Sequence, residues 1–265
     1  MIAALLSAAA LGATPAMPGD PHHLPAGSDD TLRTPALLAQ PGFSAAGQLS
    51  YARNLISELS ADGTEQSVLS DALALHLGAA WGLPGGDLTV SIPAYVHLGG
   101  TQLSDPGSAV GDLSVAGRAA LTPWLSARLG ASLPTGDASR LASYGTVTGS
   151  AGLIVGGDAG RLHAGYLLTP STDTGTESFD DLIRLDASRA WALGDGWGLS
   201  TELGGQLRRQ PEPLQGATAE AIVGLLADAG ARRIHGGLGL GLLPGAGTPT
   251  WRVLLEVQGL SSQDR

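Results

Sequence analysis

The chain has 265 residues, 40 of them glycine, with only 14 % charged and 4 % aromatic residues and a net charge of −10. Ordinary soluble domains carry roughly 25 % charged residues, and an acidic balance lacks the basic footprint that a nucleic-acid partner requires. All basic side chains are arginine and there is no cysteine, which excludes thiol catalysis, cysteine-based metal sites and disulfides.

Ile2 to Gly12 form an apolar run, followed by the small residues of Ala13-Thr14-Pro15-Ala16. The run is too short to span a bilayer as a helix, which needs about 20 residues, and it reads as a signal peptide over residues 1–16 with cleavage after Ala16. The usual basic residue ahead of the run is missing, and a buried N-terminal helix is the plainer alternative. Residues 17–42 are polar and rich in Pro and Gly, and read as a flexible periplasmic arm. His22-His23 within it has no metal-ligand spacing.

From Phe43 the dominant period is two. Leu88, Val90, Ile92, Ala94, Val96 and Leu98 share one face, opposite Thr89, Ser91, Pro93, Tyr95 and His97. Successive side chains of a strand point to opposite faces, so such a segment is a strand with one apolar and one polar face. About twelve segments of this kind begin near Ser44, Val68, Asp87, Gly111, Trp124, Tyr144, Arg161, Asp181, Trp197, Thr218, Arg233 and Thr250. Several have the roughly 9–11 residues that a tilted strand needs to cross the hydrocarbon layer.

The connections alternate as well. Gly82–Gly86, Thr122–Pro123, Gly156–Gly160, Leu193–Gly196 and Asp228–Arg232 are tight. Asn54–Ser67, Gly99–Val110, Thr135–Ser143, Thr169–Asp180, Arg208–Ala217 and Leu243–Pro249 are mostly longer. Outer-membrane barrels pair short periplasmic turns with longer extracellular loops and have an even strand number. The expected fold is therefore all-β, a closed antiparallel up-and-down transmembrane β-barrel of about twelve strands over residues 43–260, with both ends periplasmic and residues 261–265 as a tail. A soluble sandwich or lipocalin-like barrel, with the apolar face turned inward, is the competing fold, because a period of two does not say which face is inside. Trp81, Trp124, Trp197 and Trp251 fall next to turns or strand ends, where interfacial aromatics belong.

Gly111-Asp112-Leu113-Ser114-Val115, Leu133-Pro134-Thr135-Gly136-Asp137, Tyr144-Gly145-Thr146-Val147 and Leu162-His163-Ala164-Gly165-Tyr166 follow one another along the chain. In these motifs the chain resembles the N-terminal barrel of certain OmpA-family outer-membrane proteins and the barrels of transporters of the phenol-degradation MetA type. The resemblance spans roughly residues 40 to 260. It implies a Gram-negative outer-membrane protein, with lipid and lipopolysaccharide around it and the barrel-assembly machinery as a partner in biogenesis. Peptidoglycan anchoring is not carried over, because it belongs to a further region beyond the barrel. A terminal aromatic assembly signal is not present at Gln263-Asp264-Arg265 either.

With the apolar face toward lipid, the lumen would hold Asp112, Arg118, Arg128, Arg161, His163, Arg184, Asp186, Glu202, Glu220, His235, Arg252 and Glu256. Such charges either line a water-filled path that selects solutes or form ion pairs that hold the barrel in shape. Small lumen residues, among them Ala72, Ala74, Gly78, Gly130, Gly152, Gly165, Gly237 and Gly239, leave space. The functional expectation is a narrow channel or transporter for small solutes; the alternative is a structural or surface-interaction barrel with a closed lumen. Neither an enzyme, a cofactor nor a metal is expected. Asp173-Thr174-Gly175 echoes an aspartic-protease signature but lies in a Thr- and Gly-rich loop, and Gly237–Gly241 begins no helix as a dinucleotide site would require.

Overall fold

In a computed structural model the chain is described over residues 42–59, 65–100, 106–138, 142–143, 145–157, 160–168, 172–173, 178–179, 181–208, 217–230, 232–243 and 248–259. The signal peptide, the arm up to residue 41 with its His pair, and the tail lie outside these residues. The strands are β1 (Gly42–Leu59), β2 (Glu65–Leu83), β3 (Gly86–Gly99), β4 (Gly107–Val110), β5 (Leu113–Thr122), β6 (Leu125–Leu133), β7 (Thr148–Gly157) and β8 (Gly160–Leu168). They continue with β9 (Thr172–Asp173), β10 (Ser178–Phe179), β11 (Leu182–Gly194), β12 (Trp197–Arg208), β13 (Ala217–Ala229), β14 (Arg232–Leu243) and β15 (Trp251–Gly259).

Every pairing is antiparallel. Each long strand bonds to its neighbours in sequence, and β1 closes the ring on β15 over the register Ala46↔Gln258 to Arg53↔Trp251. Twelve staves thus form a closed up-and-down barrel. β4 extends the β5 stave alongside β3, and β9–β10 is a two-residue hairpin apart from the ring. The tight connections all lie at one end, together with the start of β1 (Gly42↔Gly82) and the end of β15 (Arg232↔Gly259). Asp195-Gly196 shows how such a turn is made: both residues have positive φ, 51° and 77°, the conformation that matches the right-handed twist of a two-residue hairpin.

The orientation of the faces decides between the two folds considered from sequence. Large apolar side chains are exposed on every long strand, for example Leu49, Leu77, Val90, Leu121, Leu129, Leu153, Leu162, Leu185, Leu203, Val223, Leu238 and Leu255. Polar and small residues are buried on the other face. A soluble barrel would reverse this. An apolar surface running round the whole barrel suits lipid. Trp81, Trp124 and Trp197 are exposed at the tight-turn end, and Trp251 lies at the opposite end beside Tyr51, ring centroids 5.3 Å apart.

The structure corrects the sequence reading in three places. Beyond Val96 the faces swap, so that His97 is exposed and Leu98 fully buried. The cause is a bulge: Leu73 pairs with His97 but Ala74 with Tyr95, leaving Val96 as the extra residue. Asn54–Ser67 is mostly strand, with β1 running to Leu59 and β2 starting at Glu65. Register shifts after Arg53 and Ile56 interrupt the period while the pairing continues. The segment placed near Tyr144 begins its pairing only at Thr148.

Candidate functional site in the barrel lumen

The alternation that turns Leu and Val outward turns every charged residue of the expected lumen set inward. Asp112, Arg118, Arg161, His163, Arg184, Asp186, Glu202, Glu220, His235 and Glu256 are buried, and Arg128 and Arg252 half-buried. These groups are organised into local clusters. Arg118 Nε contacts both carboxylate oxygens of Asp87 at 2.9 Å. Arg184 Nε and His163 Nδ1 converge on Asp186 Oδ2, at 2.6 and 3.0 Å. Arg252 Nε lies 3.0 Å from Glu220 Oε1. Glu256 accepts from the amides of Gln48, at 3.3 Å, and Gln258. Arg161 Nε donates to the carbonyl of Gly157 at 3.3 Å.

Asp87, Gln48, Gln258, His76 and Ser200 belong to the same polar wall and were not singled out from the sequence. The period of two gives the signal for each, since Asp87 and Ser91 share a parity, as do Gln48 and Ser50.

Two glycines read from sequence as open space are instead seats for polar side chains. A Cβ on Gly152 would lie 2.8 Å from His163 Nε2, and one on Gly239 only 2.5 Å from Glu220 Oε1. A lumen side chain lies across its neighbour's backbone where that neighbour has none of its own. The polar wall is therefore packed and specific in geometry, which a strip of small residues would not by itself provide.

At the end away from the tight turns, the two short motifs around Asp112 and Thr135 meet. Gly136 N–H donates to Asp112 Oδ1 at 3.0 Å, and Leu113 N–H to Thr135 Oγ1 at 2.9 Å. Asp137 N–H reaches the carbonyl of Val110 at 3.0 Å, and Ala142 N–H that of Asp137 at 3.0 Å. Ala142, which belongs to the β6–β7 connection, is fully buried in one apolar cluster with Ala52, Leu69, Ala72, Ala74, Tyr95 and Leu98 of β1, β2 and β3. Ala142 of that connection therefore lies against the wall formed by other staves.

One pair has the look of hydrolytic chemistry. Ser200 Oγ lies 2.8 Å from His235 Nε2. Among the described residues His235 Nδ1 has no hydrogen-bond partner, the position that the third member of an acyl-transfer triad takes. Asp173, from the protease-like tripeptide, sits in the β9 hairpin strand, and Gly237–Gly241 lies within β14.

No family model matches the chain, and no curated protein matches it either. Among solved structures it is similar to an outer membrane channel from Pseudomonas putida F1, with TM-score 0.62 and 15 % identity, over 91 % of this chain and 98 % of that one. It is also similar to the translocator domain of the autotransporter NalP from Neisseria meningitidis, with TM-score 0.52 and 8 % identity, over 84 % and 89 %. At these identities the likeness is one of fold: a transmembrane barrel. The narrower resemblance to OmpA-family or MetA-type barrels is not shown.

Proposed function

We propose that the protein is a bacterial outer-membrane channel that passes small polar solutes through a narrow lumen. The observation that carries this reading is the combination of an apolar exterior on every long strand with an interior bearing arginines, carboxylates and histidines. Lipid takes the first surface; water and polar solute take the second. The similar fold of an outer membrane channel supports it, and so does the N-terminal segment with the pattern of an export signal. The reading is non-enzymatic, in keeping with the outer membrane channel to whose fold the chain is similar. The full chain, refolded into planar bilayers, is expected to give discrete single-channel steps. Conductance no greater than that of a protein-free bilayer would overturn the channel.

A second reading, a closed barrel that acts through its surface or its loops, is favoured by the depth of burial of the lumen groups and by Ala142 of the β6–β7 connection lying against the wall of other staves. It predicts no steps in the same bilayer, together with the same heat-modifiable migration of a folded barrel.

A further inference from the structure

We propose that Arg189 and Trp191, on the outer face of β11, form a binding site for the phosphodiester of an anionic phospholipid, of the phosphatidylglycerol type, in the leaflet at the tight-turn end. This rests on the membrane-barrel part of the reading above and needs no open lumen.

Ile183, Leu185, Ala187, Arg189, Trp191 and Leu193 take the outward positions of β11, and Arg189 is the one charged residue among them. Its guanidinium carbon lies 5.3 Å from the centre of the Trp191 ring, within the range of a cation–π contact. Trp191 stands two residues nearer the β11–β12 turn. The arginine stem is therefore bent along the strand toward that end. This is the direction in which a long basic side chain on a lipid-facing surface carries its charge to the headgroups.

The register gives the depth. On the β8 side Arg189 pairs with Gly160, the first residue of β8, and the pairing of β11 with β8 stops there. Among the described residues, β11 continues from Ala190 to Gly194 paired with β12 alone, as the hairpin that turns at Asp195-Gly196. Arg189 thus stands level with the edge of the barrel on its β8 side. An outward arginine is costly at the mid-plane of a bilayer, and that cost nearly vanishes at its border. Trp191, Leu193 and Trp197 are exposed on the hairpin beyond it.

The surroundings favour an anion. Directly across from Arg189 stand Gly160, which has no side chain, and Thr201, which brings a hydroxyl. Asp186 is buried on the inward face, with Arg184 and His163 on its carboxylate. Among the described residues the other charges on outward positions of the staves are Arg53 and Asp71, paired at 2.7 Å at the far end, and Arg232 on the first residue of β14. A phosphodiester oxygen can accept from the edge of the guanidinium while the Trp191 ring keeps its face, and the Thr201 hydroxyl is a further donor. A headgroup with its own ammonium offers its phosphate an internal partner, so a headgroup without one is preferred.

The test uses the full chain folded in detergent micelles and offered equal amounts of phosphatidylglycerol and phosphatidylcholine with the same acyl chains. Bound lipid is counted by native mass spectrometry. The one-lipid adduct is expected to favour phosphatidylglycerol about fivefold, the ratio that a single arginine at a membrane surface gives. High ammonium acetate should reduce this preference in the unmodified chain, because exposed charges are screened. Arg189→Gln should bring the ratio to unity, with Trp191→Leu in between. Arg232→Gln, which removes a charge from the same end, should leave it unchanged. Equal adducts of the two lipids with the unmodified chain, or a preference that persists at high salt, would overturn the site and leave the barrel standing. So would a preference lost with Arg232→Gln and kept with Arg189→Gln. A chain with no heat-modifiable band in the micelle would overturn the membrane barrel and the site together.

Discussion

Ser200 Oγ lies 2.8 Å from His235 Nε2 although the whole of β13 runs between their strands. The contact passes over Gly224, where a Cβ would stand 2.5 Å from His235 Nε2 and 2.7 Å from Ser200 Oγ. The absence of one side chain on β13 is what lets the flanking strands join their polar groups inside the barrel.

Gly224→Ala should therefore overpack the lumen and cost about 1–3 kcal/mol. Gly236→Ala, which points outward and meets nothing within 4 Å, should cost nothing of that kind. Urea unfolding in detergent micelles, followed by tryptophan fluorescence, compares the two; equal midpoints would show that the seat at Gly224 does not matter.

Arg118 and Asp87 are buried together, with side-chain exposures of 2 % and 0 %. Removing one partner of such a pair leaves a buried charge and typically costs about 3–5 kcal/mol, whereas replacing both with neutral groups of similar size costs far less. Arg118→Met should be strongly destabilising, and Arg118→Met with Asp87→Leu should recover much of the loss. A double-mutant cycle on folding midpoints measures this, and additive losses would deny the coupling.

Leu129 is 67 % exposed near the middle of the β6 stave. If lipid covers this face, Leu129→Arg should lower folding stability in vesicles by about 2–4 kcal/mol. In a protein whose exterior meets water the same change would be close to neutral. The folded fraction in thin-bilayer vesicles, read by the gel shift between boiled and unboiled samples, separates these outcomes.

The β6–β7 connection is tied down by Asp112 and Thr135. Asp112→Ala should orphan the Gly136 amide, and Thr135→Ala the Leu113 amide, each loosening the segment that holds Ala142 against the wall. Protease cleavage between residues 134 and 147 should become faster. Unchanged cleavage in both variants would mean that the connection is held by other contacts.

Much of the lumen wall was legible from parity alone. Asp112, Arg118, His163, Glu202 and Glu256 each lie opposite an apolar neighbour in sequence, and a strand has only two faces. The same rule failed at His97 and Leu98 because a bulge adds one residue and turns both over. A register shift is a property of the pair of strands, and the single strand's pattern does not carry it.

By itself the sequence determined the strand count, the alternation of tight and long connections and the division into one apolar and one polar face, because these depend on period two and on turn chemistry close along the chain. Only the tertiary structure decided that the apolar face is outside, that Arg118 meets Asp87 and Ser200 meets His235, that Gly152 and Gly239 are filled seats, and that Ala142 lies against β1 to β3. The physical reason is that each of these depends on closing the ring and on the registers between strands far apart in sequence, and a local pattern holds information about neither.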